Sequence, residues 1–281
     1  MTDGAAVVRR MTPAARVVRA LLLAAAFGFL ELLLMAPLGA VLAQALAKGL
    51  ATFLEAFSDP DTRSSIRLTL LTAAIVVPAN TIFGIAAAWA IARFEFRGKN
   101  LLVTLIDLPL AVSPVVAGLV LVLLFGANGW FGVWLMERDL PVVFAVPGIV
   151  LATIFISFPY VARELIPLMQ QQGSDEEVAA LSLGAGAWTV FLRITLPKIR
   201  WGLLYGVILC NARAMGEFGA VSVVSGHIRG LTTTMPLQVE ILYNEYNFTA
   251  AFAVASLLAL LAILTLVAKS VVEWRSGIGG R

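Results

Sequence analysis

A polar island interrupts this otherwise apolar chain at residues 175–197, which read DEEVAALSLGAGAWTVFLRITLP. Ser174 stands three residues before Glu177, the spacing of a capping box, and two further acidic residues fall in the first turn, where the helix dipole favours anions. We therefore expect a helix to begin here, with Glu177 as part of its cap. Gly184 is expected to reverse the chain, because glycine adopts backbone conformations that other residues avoid.

The second half of the island is amphipathic. Its apolar face consists of Trp188, Phe191, Leu192 and Ile194. Pro197 then predicts the start of the next apolar span. An amphipathic helix lying on the membrane would explain this half, but not the acidic, alanine-rich start, which anionic lipids repel. The small Ala179 and Ala180 instead let another surface approach closely, which favours a docking segment for a soluble partner.

The spacing of these residues resembles the EAA loop of bacterial ABC-importer permeases. In that family a short cytoplasmic helix, a glycine turn and a second amphipathic stretch fit into a groove on the ATP-hydrolysing subunit. The position of the usual glutamate holds Val178, with Glu177 one residue earlier. The resemblance implies a cytoplasmic coupling loop at 175–197, with these residues coupling to the ATPase: Glu177, Val178, Ala179, Ala180, Gly184, Ile194 and Pro197.

The composition predicts an all-α polytopic membrane protein. Hydrophobic residues make up 60% of the chain and charged residues 13%, with a mean hydropathy of +0.94, which is too apolar for a soluble globule. Runs long enough to cross about 30 Å of hydrocarbon predict about six transmembrane helices, with the coupling loop between the fourth and the fifth. They lie near residues 20–47, 67–92, 101–125, 143–162, 201–224 and 248–270.

The first run is interpreted as an uncleaved helix, since a secretory signal has an apolar region of only about 7 to 15 residues. We expect one transmembrane permease domain over residues 1–281. The family resemblance implies a core at about 65–270, which leaves the helix at 20–47 peripheral.

The distribution of lysine and arginine predicts the orientation, because these residues are retained on the cytoplasmic side. Of the 20 basic residues, fourteen lie on the side of the two termini and of the 163–200 loop, and five lie on the other side. The first set is Arg9, Arg10, Arg16, Arg19, Arg93, Arg97, Lys99, Arg163, Arg193, Lys198, Arg200, Lys269, Arg275 and Arg281; the second is Lys48, Arg63, Arg67, Arg138 and Arg229. Both termini are therefore expected in the cytoplasm of a bacterial inner membrane. Basic residues beside apolar spans are typical of contact with lipid headgroups, and no nucleic-acid partner is expected.

Two spans carry features that predict a transport path. In the third, Pro109 and Pro114 each remove a backbone donor, so the helix should bend or open near Ser113, either to line a cavity or merely to kink. In the fifth, Arg213 and Glu217 stand at i, i+4, on one helical face, and charges at membrane depth should face protein or water. The candidate anion-pathway residues are Arg213, Glu217 and Ser113. The alternative for the charged pair is an ion pair that only fixes helix packing.

The region after residue 210 also resembles a particular branch of the importer permeases. Residues 211–220 read NARAMGEFGA, followed by VSVVSGHIRG at 221–230 and TTTMP at 232–236. This is similar to the permeases for sulfate, thiosulfate and molybdate, and most of all to the W-type subunits of sulfate/thiosulfate importers. The resemblance implies import of sulfate or thiosulfate. It also implies a second related permease, a dimer of ATP-binding subunits and an extracytoplasmic sulfate/thiosulfate-binding protein as partners, with lipid around the spans.

Missing motifs set limits on the chemistry of this chain. It has no G-x-x-x-x-G-K-[ST] phosphate loop and a single histidine, so we expect neither an enzyme, nor a metal centre, nor a bound cofactor here. ATP and Mg²⁺ are expected on the partner ATPase. The alternatives are a permease for another oxyanion such as molybdate, and a secondary anion transporter that needs no ATPase. A membrane enzyme would have only Asp107, Arg213 and Glu217 for catalysis.

Overall fold

A computed structural model describes residues 13–276 of this chain, and within them every regular element is helical. The predicted all-α class is confirmed. The helices are α1 (Pro13–Leu46), α2 (Leu50–Glu55), α3 (Pro60–Arg93), α4 (Lys99–Ala111), α5 (Pro114–Phe125), α6 (Gly132–Met136), α7 (Val146–Ser157), α8 (Pro159–Gln172), α9 (Asp175–Ser182), α10 (Ala187–Val190), α11 (Leu196–Met215), α12 (Gly219–Val224), α13 (Met235–Asn244) and α14 (Phe248–Ser276). Three of the basic residues used to predict the orientation, Arg9, Arg10 and Arg281, lie outside the described residues.

Long apolar helices account for four of the predicted spans. They cover Val17–Leu46, Pro60–Arg93, Val146–Gln172 and Phe248–Val272. The third predicted span is broken as expected: the chain bends by 110° between α4 and α5, at Val112 and Ser113. Counting this pair as one span gives five among the described residues, against the predicted six.

The predicted fifth span, near 201–224, is wrong as a single helix. Helix α11 ends at Met215 and α12 begins at Gly219. The carboxylate of Glu217 accepts a hydrogen bond from the Ala220 amide at 2.8 Å, which satisfies a donor in the first turn of α12. Glu217, which the sequence placed within a span, therefore lies between two helices and caps the second one.

The centre of the bundle is the packing of α3, α8 and α11. Val161 on α8 lies between two glycines of the neighbouring helices. A Cβ added at Gly84 would come within 2.6 Å of Val161 Cβ, and one at Gly206 within 3.2 Å of Val161 Cα. Close approach of backbones at small residues is how membrane helices gain packing contacts.

The two ends of the bundle carry different contacts. At one, the coupling end, the end of α3 meets α9. At the other, the far end, Asp59 caps α3 by accepting from Thr62 N at 2.8 Å, and Arg229 pairs with Glu245 just after α13. Helix α1 packs against α14 and α2, and within residues 17–46 Ala45 alone is buried.

Candidate functional site

The helix α9 is attached to α3 by a buried ion pair. Arg93, the last residue of α3, donates from Nε to Glu177 Oε2 at 2.8 Å and from Nη2 to Glu177 Oε1 at 3.0 Å. Its third nitrogen, Nη1, donates to the carbonyl of Met169 on α8 at 2.7 Å. Thr195 Oγ1 adds a bond to Glu177 Oε1 at 2.8 Å. One guanidinium therefore joins α3, α8 and α9.

The predicted capping role of Glu177 is wrong. Helix α9 does begin at Asp175 as expected, but Ser174 makes no side-chain cap. The Glu177 carboxylate instead turns inward to Arg93, with 11% of its side chain exposed. A charged bidentate pair is stronger than a bond to a backbone amide. Local spacing could not show this, because the partner lies 84 residues earlier in the chain.

Aromatic stacking attaches the second half of the coupling segment to the same helix. Trp188 stacks on Phe191 with centroids 5.6 Å apart, and Phe191 lies 5.6 Å from Trp89, one turn before Arg93 on α3. Lys198 and Glu176 form an outer ion pair of 2.8 Å. Residues 175–197 therefore contact the end of α3 through both halves.

The outward side of this segment is an exposed apolar surface. Leu183 is 89% exposed, Trp188 72% and Val178 55%. Gly184, at the turn between α9 and α10, has φ +86°, so the predicted chain reversal is confirmed. We call these residues the coupling surface: Val178, Ala179, Leu181, Leu183, Gly184 and Trp188, all of them exposed.

Pro197 lies in the first turn of α11, as predicted, but the chain is already helical before it. The helix continues from α10 through a π-helical turn, Phe191–Thr195, directly into α11. Proline lacks an amide donor and obstructs the preceding turn, and a wider turn accommodates it without ending the helix. Thr195, within that turn, is the residue that reaches Glu177.

The structure brings the two broken spans together. The turn at Ser113, which is exposed, lies between α4 and α5, and Pro114 begins α5. A Cβ added at Gly219, the first residue of α12, would lie 2.9 Å from Pro114 Cβ. The break that carries Ser113 is therefore in contact with the break that carries Glu217.

Arg213 and Glu217 form the ion pair that their spacing predicts. Arg213 Nη2 lies 2.7 Å from Glu217 Oε2, with 29% of the arginine side chain exposed and 1% of the glutamate side chain. The other carboxylate oxygen is the one that caps α12. The buried partner is thus tied to the backbone, while the arginine keeps a face that a ligand could reach. Asp107 and Arg163 form a looser, more exposed pair at 3.4 Å.

Residues 80–275 match the family model described as the binding-protein-dependent transport system inner membrane component. The chain belongs to this permease family. Its relatives include the "Sulfate transport system permease protein CysW" of Synechocystis, 52% identical over 92% of this chain and 94% of the relative. The protein of the same name in Escherichia coli K12 is 54% identical over 86% and 84%. The E. coli "Sulfate transport system permease protein CysT" is 35% identical over 89% and 90%.

Solved structures agree on the fold of this permease. A bacterial ABC transporter that imports the acidic polysaccharide alginate matches with a TM-score of 0.72, covering 94% of this chain and 96% of that one at 17% identity. The alginate transporter in complex with its alginate-bound periplasmic protein matches with a TM-score of 0.71 and 18% identity, over 92% and 93%. The permease therefore has the fold of an ABC-importer membrane subunit, and residues 175–197 fit the EAA loop and coupling helix of its family.

Proposed function

We propose that this chain is a membrane subunit of a sulfate importer, and that it also carries thiosulfate. The observation that carries the proposal is its 52% identity, over nearly the whole of both chains, to a relative named as a sulfate permease. The 35% identity to the CysT type supports a second, related permease as its partner. The remaining partners are an extracytoplasmic binding protein for the anion and a dimer of ATP-binding subunits, which hold ATP and Mg²⁺.

The coupling surface is the proposed contact with the ATPase. It combines exposed apolar side chains with small residues, which suits insertion into a groove of a soluble subunit. When the ATPase dimer closes, it pushes on residues 175–193. Arg93 and Trp89 attach this segment to α3, so the displacement passes to α3 and its packing partners α8 and α11, and the two permeases rock about their interface.

The anion path is proposed to run past Ser113, Arg213 and Glu217. Sulfate is a dianion at physiological pH, so crossing a region of low dielectric requires a fixed positive charge or oriented donors. Arg213 offers one charge that Glu217 partly neutralises, which attracts the anion without trapping it.

We assign the coupling end to the cytoplasm of a bacterial inner membrane, with both termini on that side. Two of the basic residues that predict this orientation, Arg93 and Lys198, lie at the coupling end and support the assignment. Arg93 contacts α9, and Lys198 contacts Glu176.

Reconstitution of the four-component complex in vesicles tests the proposal. ATPase activity and uptake of radiolabelled anion should both rise when the binding protein carries sulfate or thiosulfate. A rise with molybdate alone would assign the permease to another oxyanion. Uptake that persists with an ATPase lacking its catalytic glutamate would make the chain a secondary transporter.

A further inference from the structure

A cavity of about 370 Å³ lies at the far end of the bundle. Its walls come from α2, the start of α3, the end of α13 and the start of α14. The charged residues that line it are Glu55, Asp59, Asp61, Glu245, Lys48 and Arg229. Four carboxylates against two basic groups give the lining a net charge of −2. A cavity of this sign attracts cations and repels a dianion such as sulfate, so its occupant is not the transported anion.

The four carboxylates differ in whether the chain already provides a partner for them. Asp59 accepts a hydrogen bond from the Thr62 amide at 2.8 Å, and Glu245 pairs with Arg229. The carboxylates of Glu55 and Asp61 make neither an ion pair nor a hydrogen bond to another described residue. Two negative charges in this cavity are therefore available to a group from outside the chain.

Gln238 on α13 provides an independent indication of an occupant. The residue is 1% exposed and lines the same cavity, and its Oε1 atom has no hydrogen-bond partner among the described residues. A buried acceptor without a donor is unfavourable, because it has lost its bonds to water and gained none in return. An amide oxygen can only accept, so the missing partner is a donor. A cationic donor that enters the cavity satisfies Gln238 and the free carboxylates together.

The dimensions of the cavity favour a side chain over a metal ion. Within residues 13–276, no group of three or more acidic, histidine or cysteine side chains is arranged to hold a metal. A calcium ion needs six to eight oxygen ligands at about 2.3–2.6 Å, which is a far smaller space than this one. A guanidinium or ammonium group on its flexible stem instead donates several bonds in different directions, which suits separated acceptors.

We propose that the far-end cavity is a docking site for a basic side chain of the sulfate-loaded binding protein, with Glu55 and Asp61 as its countercharges and Gln238 as an acceptor. This inference rests on the proposed function, in which the far end faces the extracytoplasmic side. A negative site holds the binding protein without retaining the dianion that it releases. Helix α3 then contacts both soluble partners, since it carries Asp61 in its first turn and Arg93 at its last residue.

Binding of the sulfate-loaded binding protein to the assembled complex in lipid nanodiscs tests the site. The double variant Glu55→Gln with Asp61→Asn should raise the dissociation constant about tenfold at low ionic strength. Its dissociation constant should also vary less with salt than that of the wild type, because salt screens charge pairs. Gln238→Met, which keeps a similar volume and removes the oxygen, should raise the dissociation constant about tenfold as well, the effect of losing a hydrogen bond to a charged group.

Two further variants control for a general disturbance of this end. Lys48 lines the cavity and makes no ion pair to a described residue. Lys48→Gln changes the net charge of the lining from −2 to −3, so it should tighten binding. Glu137→Gln removes an exposed carboxylate that lies outside the cavity, just after α6, and should leave the dissociation constant unchanged. A structural disturbance does not predict changes of opposite sign for Lys48→Gln and the double variant.

The same measurements identify other occupants. A dissociation constant equal to that of the wild type in both the double variant and Gln238→Met would overturn the site. So would a wild-type complex that EDTA weakens as much as the double substitution does, because the occupant would then be a metal ion. Loss of the second permease from the purified double variant would assign the cavity to the permease interface and overturn the proposal too. A wild-type complex that binds neither sulfate-loaded nor thiosulfate-loaded binding protein would instead overturn the proposed function.

Discussion

Arg93 holds the carboxylate of Glu177 from two nitrogens, at 2.8 and 3.0 Å, and so joins the end of α3 to the coupling helix α9. Both side chains are nearly closed off from solvent, with 8% and 11% exposed. A planar guanidinium that also binds the Met169 carbonyl leaves little freedom to either helix. A displacement of α9 should therefore be transmitted to α3 and not be absorbed by movement of the connecting loop.

Glu177→Gln tests this link. The change removes one charge of a buried pair and leaves Arg93 without its countercharge, at a cost of about 3 kcal/mol to the local structure. We expect the permease to insert normally but transport to fall, with less ATPase recovered when the permease is purified through a tag.

Two further variants distinguish the effect of losing the buried Arg93–Glu177 pair from the effect of losing any charge at the coupling end. Glu176→Gln removes a carboxylate that is 64% exposed, whose pair with Lys198 is worth at most about 1 kcal/mol, and should change little. Replacing both Arg93 and Glu177 by leucine should restore assembly relative to either single change, because no unpaired charge is left. Equal defects in Glu176→Gln and Glu177→Gln would contradict a specific role for the buried pair.

Gly184→Val should disconnect the permease from its ATPase. The backbone at Gly184 has φ +86°, where a residue with a Cβ costs about 1–2 kcal/mol and a β-branched one more. No atom lies within 4 Å of an added Cβ, so the effect comes from the backbone and not from a clash. ATPase copurification and its stimulation by loaded binding protein measure the loss.

Gly186→Val is the control for that experiment. Gly186 has equally open space around a Cβ, but its φ of −69° suits any residue. It should assemble and transport nearly as the wild type does. Full transport with normal ATPase association in Gly184→Val would show that the glycine turn is not required for docking.

The sequence predicted the helices and turns that depend on neighbouring residues. The start of α9, the reversal at Gly184 and the break at Ser113 all follow from local chemistry, and the structure confirms them. The i, i+4 pairing of Arg213 with Glu217 is local as well.

Contacts between distant segments could not be predicted in the same way. Glu177 stands three residues after Ser174, as in a capping box, yet its carboxylate binds the guanidinium of Arg93, 84 residues earlier, and not the amides of its own helix. The sequence did not predict the helix break at Glu217, because a carboxylate inside an apolar run can either form an ion pair or cap a helix. In the structure Glu217 does both: it pairs with Arg213 and caps α12. The π-helical turn before Pro197 has no local signature beyond the proline itself.

Leu183→Ser tests the coupling surface. With 89% of Leu183 exposed, the change should leave the permease fold unaffected and weaken its binding to the ATPase, because the apolar area lost is buried only in the complex. Leu231→Ser at the far end, 67% exposed, is the matched control. If both variants recover the ATPase equally well, the surface is not the contact.

Cysteine labelling checks the orientation. In a Cys210→Ala background, Asp175→Cys at the coupling end should react with a membrane-impermeant maleimide only in inverted vesicles. Glu137→Cys, just after α6, should react only in intact cells freed of their outer membrane. Reversed labelling would contradict the orientation, and the docking proposal with it.

Arg213 and Glu217 permit the most discriminating experiment on the path. If Arg213 meets the anion, Arg213→Ala should abolish sulfate uptake per assembled complex while the complex still forms. Glu217→Gln keeps an oxygen that can accept from the Ala220 amide, so α12 should keep its start. That complex should hydrolyse ATP but transport slowly, because an arginine without its countercharge holds the dianion longer.

A purely structural pair predicts a different result. Arg213→Ala would then leave the carboxylate of Glu217, 1% exposed, without its partner and should lower the yield of assembled complex more than Glu217→Gln does. Arg163→Ala controls for removing a basic residue from a looser pair, that with Asp107 at 3.4 Å, and should affect neither quantity strongly. Measuring assembled yield and uptake per complex separately distinguishes the two roles. Normal uptake per complex in Arg213→Ala would end the pathway role, since an anion that depends on this charge cannot cross without it.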